Sequence, residues 1–378
     1  MKIQYLLNAI SKNNSLIAFL LVAWTIFRNG IRIQGPGELG LSALQYFPTA
    51  RYYVSESFGP LLFGKIFGLN NSFRWSSLYL VLTLTTIYMA YFFALKNFGK
   101  LGFLYSLAFS ISPYIITLLQ QIGHYDYFTI VGWLIYYLGF YNKNNLLKYI
   151  GLTIAASGNP EQALLSVISI YLICRYKSNA ELQKEIKSHV AYVLLLFIFI
   201  QVWMTWYGAS GRLFLVVLYL IKSTTFFLQT FPNSYTSLYG IFWLPIIFYL
   251  FQTSNKFSKL LPIVIIPLLA TILAVDGTRI FSCVSLPILL FLIVNGEFDD
   301  LLSIVIKSRD AFILFLAICL FFPFSYVLVG ANMEPFGHLR SIFSQMELSY
   351  TEWLRNLIKN GFVHIKDWPV LSRFSRAF

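Results

Sequence analysis

The stretch YIGLTIAASGNPEQALLSVISIYLIC, residues 149–174, decides how the rest of the chain is threaded. Read as one helix, it crosses a bilayer once and leaves Arg175, Lys177, Lys184 and Lys187 opposite every other basic loop. Read as two short helices joined at Gly158-Asn159-Pro160-Glu161, it returns them to the same side. Proline removes a backbone donor and disfavours the helical conformation in the residue before it, so Pro160 favours the break. The excess of Lys and Arg in cytoplasmic loops favours the hairpin as well. Halves too short to span are tolerated where the tip is buried in protein or lines a wet cavity.

The chain around this stretch is 58% hydrophobic, 19% aromatic and 11% charged. Many of its apolar runs approach the roughly 20 residues that a helix needs to cross a hydrocarbon core of about 30 Å. They are too long and continuous for barrel strands. The expected fold is all-α: a polytopic membrane helical bundle of about ten segments, including the short hairpin, with a long outer loop after the first helix. Residues 1–330 form one membrane domain in this reading, with 28–75 an outer-face loop carrying interfacial helices. Residues 331–378 form a short outer tail, and the last membrane helix is expected at Ala311–Gly330. The run Leu16–Phe27 lacks a small-residue cleavage pattern and reads as an uncleaved first helix.

A net charge of +13 would point to nucleic acid in a soluble protein, but here the basic residues sit in short loops, so no nucleic-acid partner is expected. With the N-terminus cytoplasmic, Lys96/Lys100, Lys143/Lys148, the loop Arg175–Lys187, Lys256/Lys259 and Lys307/Arg309 all fall inside. A bacterial plasma membrane is the expected location. Cys174, Cys283 and Cys319 lie in apolar segments, match no metal motif and read as packing residues.

The same topology gathers three polar clusters on the outer side: Gly123-His124-Tyr125-Asp126, Asn159-Pro160-Glu161-Gln162 and Asp276-Gly277-Thr278-Arg279. An ionisable group at a membrane edge is costly and is a functional-site hypothesis by default. Each member also has an ordinary structural reading. Asp126 is placed to be a general base, a metal ligand or a helix cap. His124 reads equally as a proton-transfer or phosphate-binding group and as a structural hydrogen-bonding one. Glu161 and Gln162 suit a helix start behind Pro160 as well as a buried binding site. Asp276 and Arg279 could close a local turn, or Arg279 could meet an anion with its planar fork. In the first outer loop, Glu38 follows the turn Gln34-Gly35-Pro36-Gly37, and Arg51 lies further on; Arg212 belongs to the outer segment Gly208–Tyr239. There is no phosphate loop, HExxH, CxxC or nucleophile elbow, which argues against an ATP-driven pump and a zinc protease.

The order of parts resembles the GT-C superfamily of integral-membrane glycosyltransferases. One helix leads to a long outer loop with an early acidic residue, Glu38; the loop continues through Tyr52-Tyr53 and Gly59-Pro60-Leu61-Leu62; a later short loop holds Asp126 ahead of an aromatic helix. The resemblance covers about the first 170 residues and rests on layout. It implies transfer of a sugar from a polyprenyl-phosphate donor in the bilayer to a glycan, lipid or protein acceptor. Glu38 and Asp126 would take the catalytic positions, and a divalent metal is compatible with it. The chain departs from the family's pattern in having no Asp beside Glu38. His124, Glu161, Gln162, Asp276, Arg279, Arg51 and Arg212 are the expected substrate-binding residues. A flippase or transporter of a lipid-linked or anionic substrate, and a surface-polysaccharide polymerase or ligase, are the alternatives.

Overall fold

The computed structural model describes residues 13–31, 33, 35–51, 53–175, 180–209, 238–252, 256–272, 277–321, 325–327 and 333–335. In chain order the helices are α1 Asn14–Asn29, α2 Gly37–Tyr46, α3 Phe58–Ile66, α4 Ser72–Ser110, α5 Pro113–Gln120, α6 Asp126–Tyr141, α7 Asn145–Gly158 and α8 Pro160–Arg175. They continue with α9 Ala180–Trp206, α10 Trp243–Gln252, α11 Lys256–Leu260, α12 Ile266–Ile272, α13 Gly277–Val294, α14 Asp299–Lys307 and α15 Arg309–Phe321. Apart from an antiparallel pair of three-residue strands, β1 Ser325–Val327 and β2 Met333–Pro335, the regular structure described is helical.

The stretch 149–174 is two helices, and the break is a single residue. Asn159 has an extended backbone (φ −144°, ψ 92°); its N–H closes α7 onto Ala155 O, and its carbonyl accepts the first bond of α8 from Ala163 N. Pro160 takes the first helical position, where its missing donor costs nothing. The two helices run back on each other. Lys148, at the foot of α7, bonds Glu185 in the first turns of α9, and α9 begins just after the end of α8.

Helices α6 and α7 are the most closely packed pair. A Cβ on Gly132 would lie 2.3 Å from Ala155 N, and one on Gly151 would lie 2.4 Å from Tyr136 N. Small residues of this kind let helix backbones touch, the usual means of helix association where lipid competes with apolar side chains. Helix α13 fills the centre. Phe281, Cys283, Val284, Leu286, Ile288, Leu289 and Phe291 are buried around its whole circumference, as expected of a helix apolar on every side. It is tied to α5 through Tyr114–Ser285 and Thr117–Ser282, to α6 through Tyr137 Oη on Pro287 O, and to α8 through Ser166 Oγ on Val284 O. The three cysteines are buried thiols outside any disulfide.

Several expected boundaries change. The two helices expected at Ser76–Leu95 and Leu101–Leu119 are the two parts of α4, which breaks at the non-helical Gly99 (φ 54°, ψ −122°), and the second part stops at Ser110 because Pro113 starts a new helix. The first outer loop holds α2 as well as the expected interfacial helix near Leu61–Phe67, seen as α3. Lys184 and Lys187 sit on α9 and not in a loop, since exposed charge is tolerated on one face of its first turns. The last helix ends at Phe321, ahead of Pro323, and β1 occupies part of the range expected to be helical. By length and apolar content, two helices among the described residues suffice to cross a bilayer, α4 and α9. Residues Arg279–Val294 with Asp299–Lys307, bent by 68°, make a third if taken as one span. Most of the other helices are shorter: α7 at 14 residues and α8 at 16 reach only about 21 and 24 Å.

Gly151→Val should therefore force α6 and α7 apart, at a cost of about 3 kcal/mol, the upper end for overpacking. Thermal unfolding in detergent should show a clear fall in midpoint, while Leu146→Ala, at a side chain 70% exposed, should leave it nearly unchanged.

Candidate functional site

Helices α6, α8 and α13 begin at the same end of the bundle, and each brings one of the polar clusters with it. The turn ahead of α6 is held by the first loop. Gly123 has φ 92°, and a Cβ there would lie 2.7 Å from Gly35 Cα, so the position needs glycine on two counts. Gly35 N donates to Ile122 O at 3.1 Å, Ile33 and Ile122 form an isolated bridge, and Trp75 Nε1 donates to Gly123 O at 2.7 Å. Ser57 Oγ takes up the carbonyl of Gly158 at the tip of the hairpin (2.8 Å).

This frame fixes Asp126, whose side chain is only 1% exposed. Its Oδ1 accepts from Asn159 Nδ2 at 2.8 Å, and the same amide nitrogen lies 2.8 Å from Thr129 Oγ1. An amide beside a carboxylate must present its NH2 group, which settles the orientation of Asn159. The other oxygen, Oδ2, accepts from Arg279 Nη1 at 2.9 Å and lies 3.0 Å from His124 Nδ1. Arg279 Nη1 is also 3.1 Å from His124 Nε2 and 3.4 Å from Nδ1.

These contacts assign the proton on His124. Arg279 Nη1, nearly equidistant from the two ring nitrogens, lies over the face of the His124 ring, and Nδ1, 3.0 Å from the carboxylate, presents its hydrogen to Asp126. The other tautomer would suit the 3.3 Å contact from the Asp126 N–H to Nδ1, but it turns a lone pair onto the carboxylate. Asp126 is thus an occupied carboxylate, accepting from an arginine, an amide and an imidazole. Such a group orients its neighbours well and is a weak base. His124 and Arg279, at 26% and 16% exposure, are the members that reach the outside.

The other expected site residues are distributed differently. Glu161 and Gln162 lie in the first turn of α8 beside the network; Gln162 is buried, and its Oε1 has no hydrogen-bond partner among the described residues. Glu38 is in the first turn of α2, whose Gly40 backbone lies against Tyr125, the neighbour of Asp126. The Glu38 side chain, Asp276 and Arg212 lie outside what is described. Arg51 is exposed and stacks on Tyr46, 3.8 Å from the ring centre, and makes no described contact with the network. No group of three or more His, Cys, Asp or Glu among the described residues is placed to hold a metal ion.

Two features escaped sequence reasoning. Asn159 reads as part of a helix break, yet its amide joins two of the clusters; its place directly before Pro160, in a polar interruption of an apolar run, was the available signal. At the opposite end of α6 and α7, Lys148 bonds Glu185 and Asn145, and His189 Nδ1 meets Tyr136 Oη at 3.0 Å. Nothing in the spacing of Tyr136, Lys148, Glu185 and His189 announces that second buried network.

No protein-family model, curated protein or solved structure shows a detectable match to this chain.

Removing one partner of a buried pair leaves the other charge uncompensated, at a cost of about 3–5 kcal/mol. Arg279→Gln alone should destabilise by that order, and Asp126→Asn in the same chain should recover a good part of the loss. A double-mutant cycle from unfolding midpoints measures the coupling; strictly additive effects would mean that the pair contributes nothing.

Proposed function

We propose that the chain is a multi-pass protein of a bacterial plasma membrane, with its N-terminus cytoplasmic, that transfers a sugar from a polyprenyl-phosphate donor to an acceptor hydroxyl at the outer face. The observation that carries this reading is the meeting of Asp126, Asn159 and Arg279, one from each polar cluster, behind a partly exposed His124. A buried, fully bonded ionic network at the end of an apolar bundle is expensive, and chemistry on a charged substrate is a use that repays it.

Each group has a role consistent with its contacts. The acceptor hydroxyl gives its proton to His124 Nε2 while its oxygen bonds the anomeric carbon of the donor. The bond from that carbon to the phosphate oxygen breaks, and the electron pair leaves on the phosphate. Arg279 faces the charge that develops there, where a preorganised cation contributes most. Asp126 keeps the ring oriented and stabilises the imidazolium, as the third member of a catalytic triad does. Gln162, whose Oε1 is buried without a hydrogen-bond partner among the described residues, is available to a sugar hydroxyl. Glu38, the acidic position of the first loop, is two residues before Gly40, whose backbone lies against Tyr125.

The test is transfer of labelled sugar from a polyprenyl-phosphate sugar by the purified chain in lipid. Wild type should transfer, and His124→Ala should lower kcat about 100- to 10,000-fold, the range expected for loss of a general base. Full activity in both His124→Ala and Arg279→Gln would refute these roles. The broken helix at Asn159 also suits a transporter, since transporters build sites at discontinuous helices. Uptake into liposomes without product would select that reading.

A further inference from the structure

We propose that the groove between α4, α10, α14 and α15 binds one hydrocarbon chain of a zwitterionic phospholipid, with the headgroup at the level of α14. The inference needs the membrane reading of the bundle and nothing of the sugar chemistry. The groove has a volume of about 450 Å³. Leu104 and Ala108 of α4, Pro245 and Phe248 of α10, Val305 of α14 and Phe315 of α15 belong to its walls. Leu244, Phe251 and Leu314 also line it and are exposed, so it opens sideways from the bundle. Among the described residues that line it, only Tyr105 has a polar side-chain atom, and its hydroxyl donates to Asp299 Oδ1 at 3.1 Å. A site for a polar molecule sets a few polar groups among apolar walls to orient it. Here the single hydroxyl is already engaged. Space with such walls does not hold water either, since a bound water needs two or more polar partners. The chemistry of the walls therefore selects hydrocarbon.

Size separates a lipid chain from a partner helix. A helix about 10 Å across that rises about 1.5 Å per residue fills such a volume within about four residues, too few to dock. A cavity of about 150 Å³ takes a benzene ring, and on that scale the groove takes about 18 carbon atoms, the size of one acyl chain. Position separates the groove from the Asp126 network. The Tyr105–Asp299 bond marks one end of it, and the contact of Phe242 with Phe109, one turn further along α4, marks the other. Asp299 comes after the end of α13, and the 18 residues of that helix put about 27 Å between it and the start that carries Arg279. The chain bends by 68° between Arg279–Val294 and Asp299–Lys307, so α14 lies across the direction of α13. Asp300, Lys307, Arg309 and Asp310, each within two residues of a lining position, are exposed. A polybasic cluster would select an anionic lipid. Two acids and two bases cancel instead, and suit a headgroup that carries both signs. Charge gathers at the α14 end and the walls beyond it are apolar, which is the order of polarity along a phospholipid.

The experiment reconstitutes the full chain in nanodiscs of a zwitterionic phospholipid, a trace of which carries a photoactivatable diazirine in one acyl chain. Labelled positions are mapped by mass spectrometry. Leu195, Phe199 and Val202, exposed on α9, report contact with bulk lipid. The expected result is about tenfold more label per residue at Phe248, Val305 and Phe315 than at those three, the mark of a preference of about 1.4 kcal/mol over bulk lipid. Ala311→Trp should fill the groove and abolish the enrichment. In mild detergent, native mass spectrometry should find one phospholipid retained on the wild-type chain and lost from the variant. If Ala311→Trp does not fold, Val305→Phe takes its place, and the wild-type labelling decides without either. Equal label on groove and α9 would overturn the groove and leave the membrane reading standing. Label on neither would overturn both. Preferential retention of phosphatidylglycerol or of a polyprenyl phosphate, offered in equal amount, would also overturn the proposed occupant. Enrichment in the groove without sugar transfer would retire the transferase reading alone.

Discussion

A carboxylate taken out of water must be neutralised or bonded at every lone pair, and Asp126 imposes that demand on the outer end of this bundle. Its partners could not come from neighbouring turns of α6, because that helix is apolar and aromatic beyond its first turns. His124, just ahead of the helix, supplies one; the others come from the break before α8 and from α13, 33 and 153 positions away in the chain. Three helices must therefore start at one level, and the intervening chain must be threaded so that they do. The single-residue break at Asn159 is the clearest result: α7 and α8 have to turn back on themselves at the depth where the amide meets the carboxylate.

The opposite ends of α6 and α7 answer a similar demand. Lys148, buried at the foot of α7, is held by Glu185 of α9, and His189 of the same helix is bonded by Tyr136 and flanked edge-on by Tyr136 and Tyr149. The glycine contacts between α6 and α7 make those two helices one rigid piece, and a polar network grips each end of it. The Asp126 network couples that piece to α8 and α13, the Lys148 network to α9. An ionic contact specifies a partner more sharply than apolar packing does, since a wrong helix in either position would leave a charge buried alone. The networks thus fix which helices are neighbours, and the small residues fix how near they come.

Much of this was readable from sequence, for reasons that differ from residue to residue. Pro160 and the distribution of Lys and Arg were enough to find the hairpin, because a missing donor and a charge bias act locally or additively along the chain. Topology alone put the clusters holding Asp126, Asn159 and Arg279 on one side. What could not be read was which members touch. Glu161 and Asn159 are equally polar and two positions apart, but only the direction of the chain at the break decides which side chain turns toward α6. Asp126 looked like a base because carboxylates often are; the arginine, amide and imidazole that occupy it are contacts across the bundle, with no trace in local pattern. The same limit hid α2, a short helix among glycines and polar residues, and the Lys148–Glu185 pair, whose members sit in two helices that each look unremarkable.

The resting site has a balance of charge that bears on how it would recognise a substrate. Asp126 and Arg279 cancel. Such a site has little net attraction for an anion at a distance, in contrast to a pocket lined with several cations.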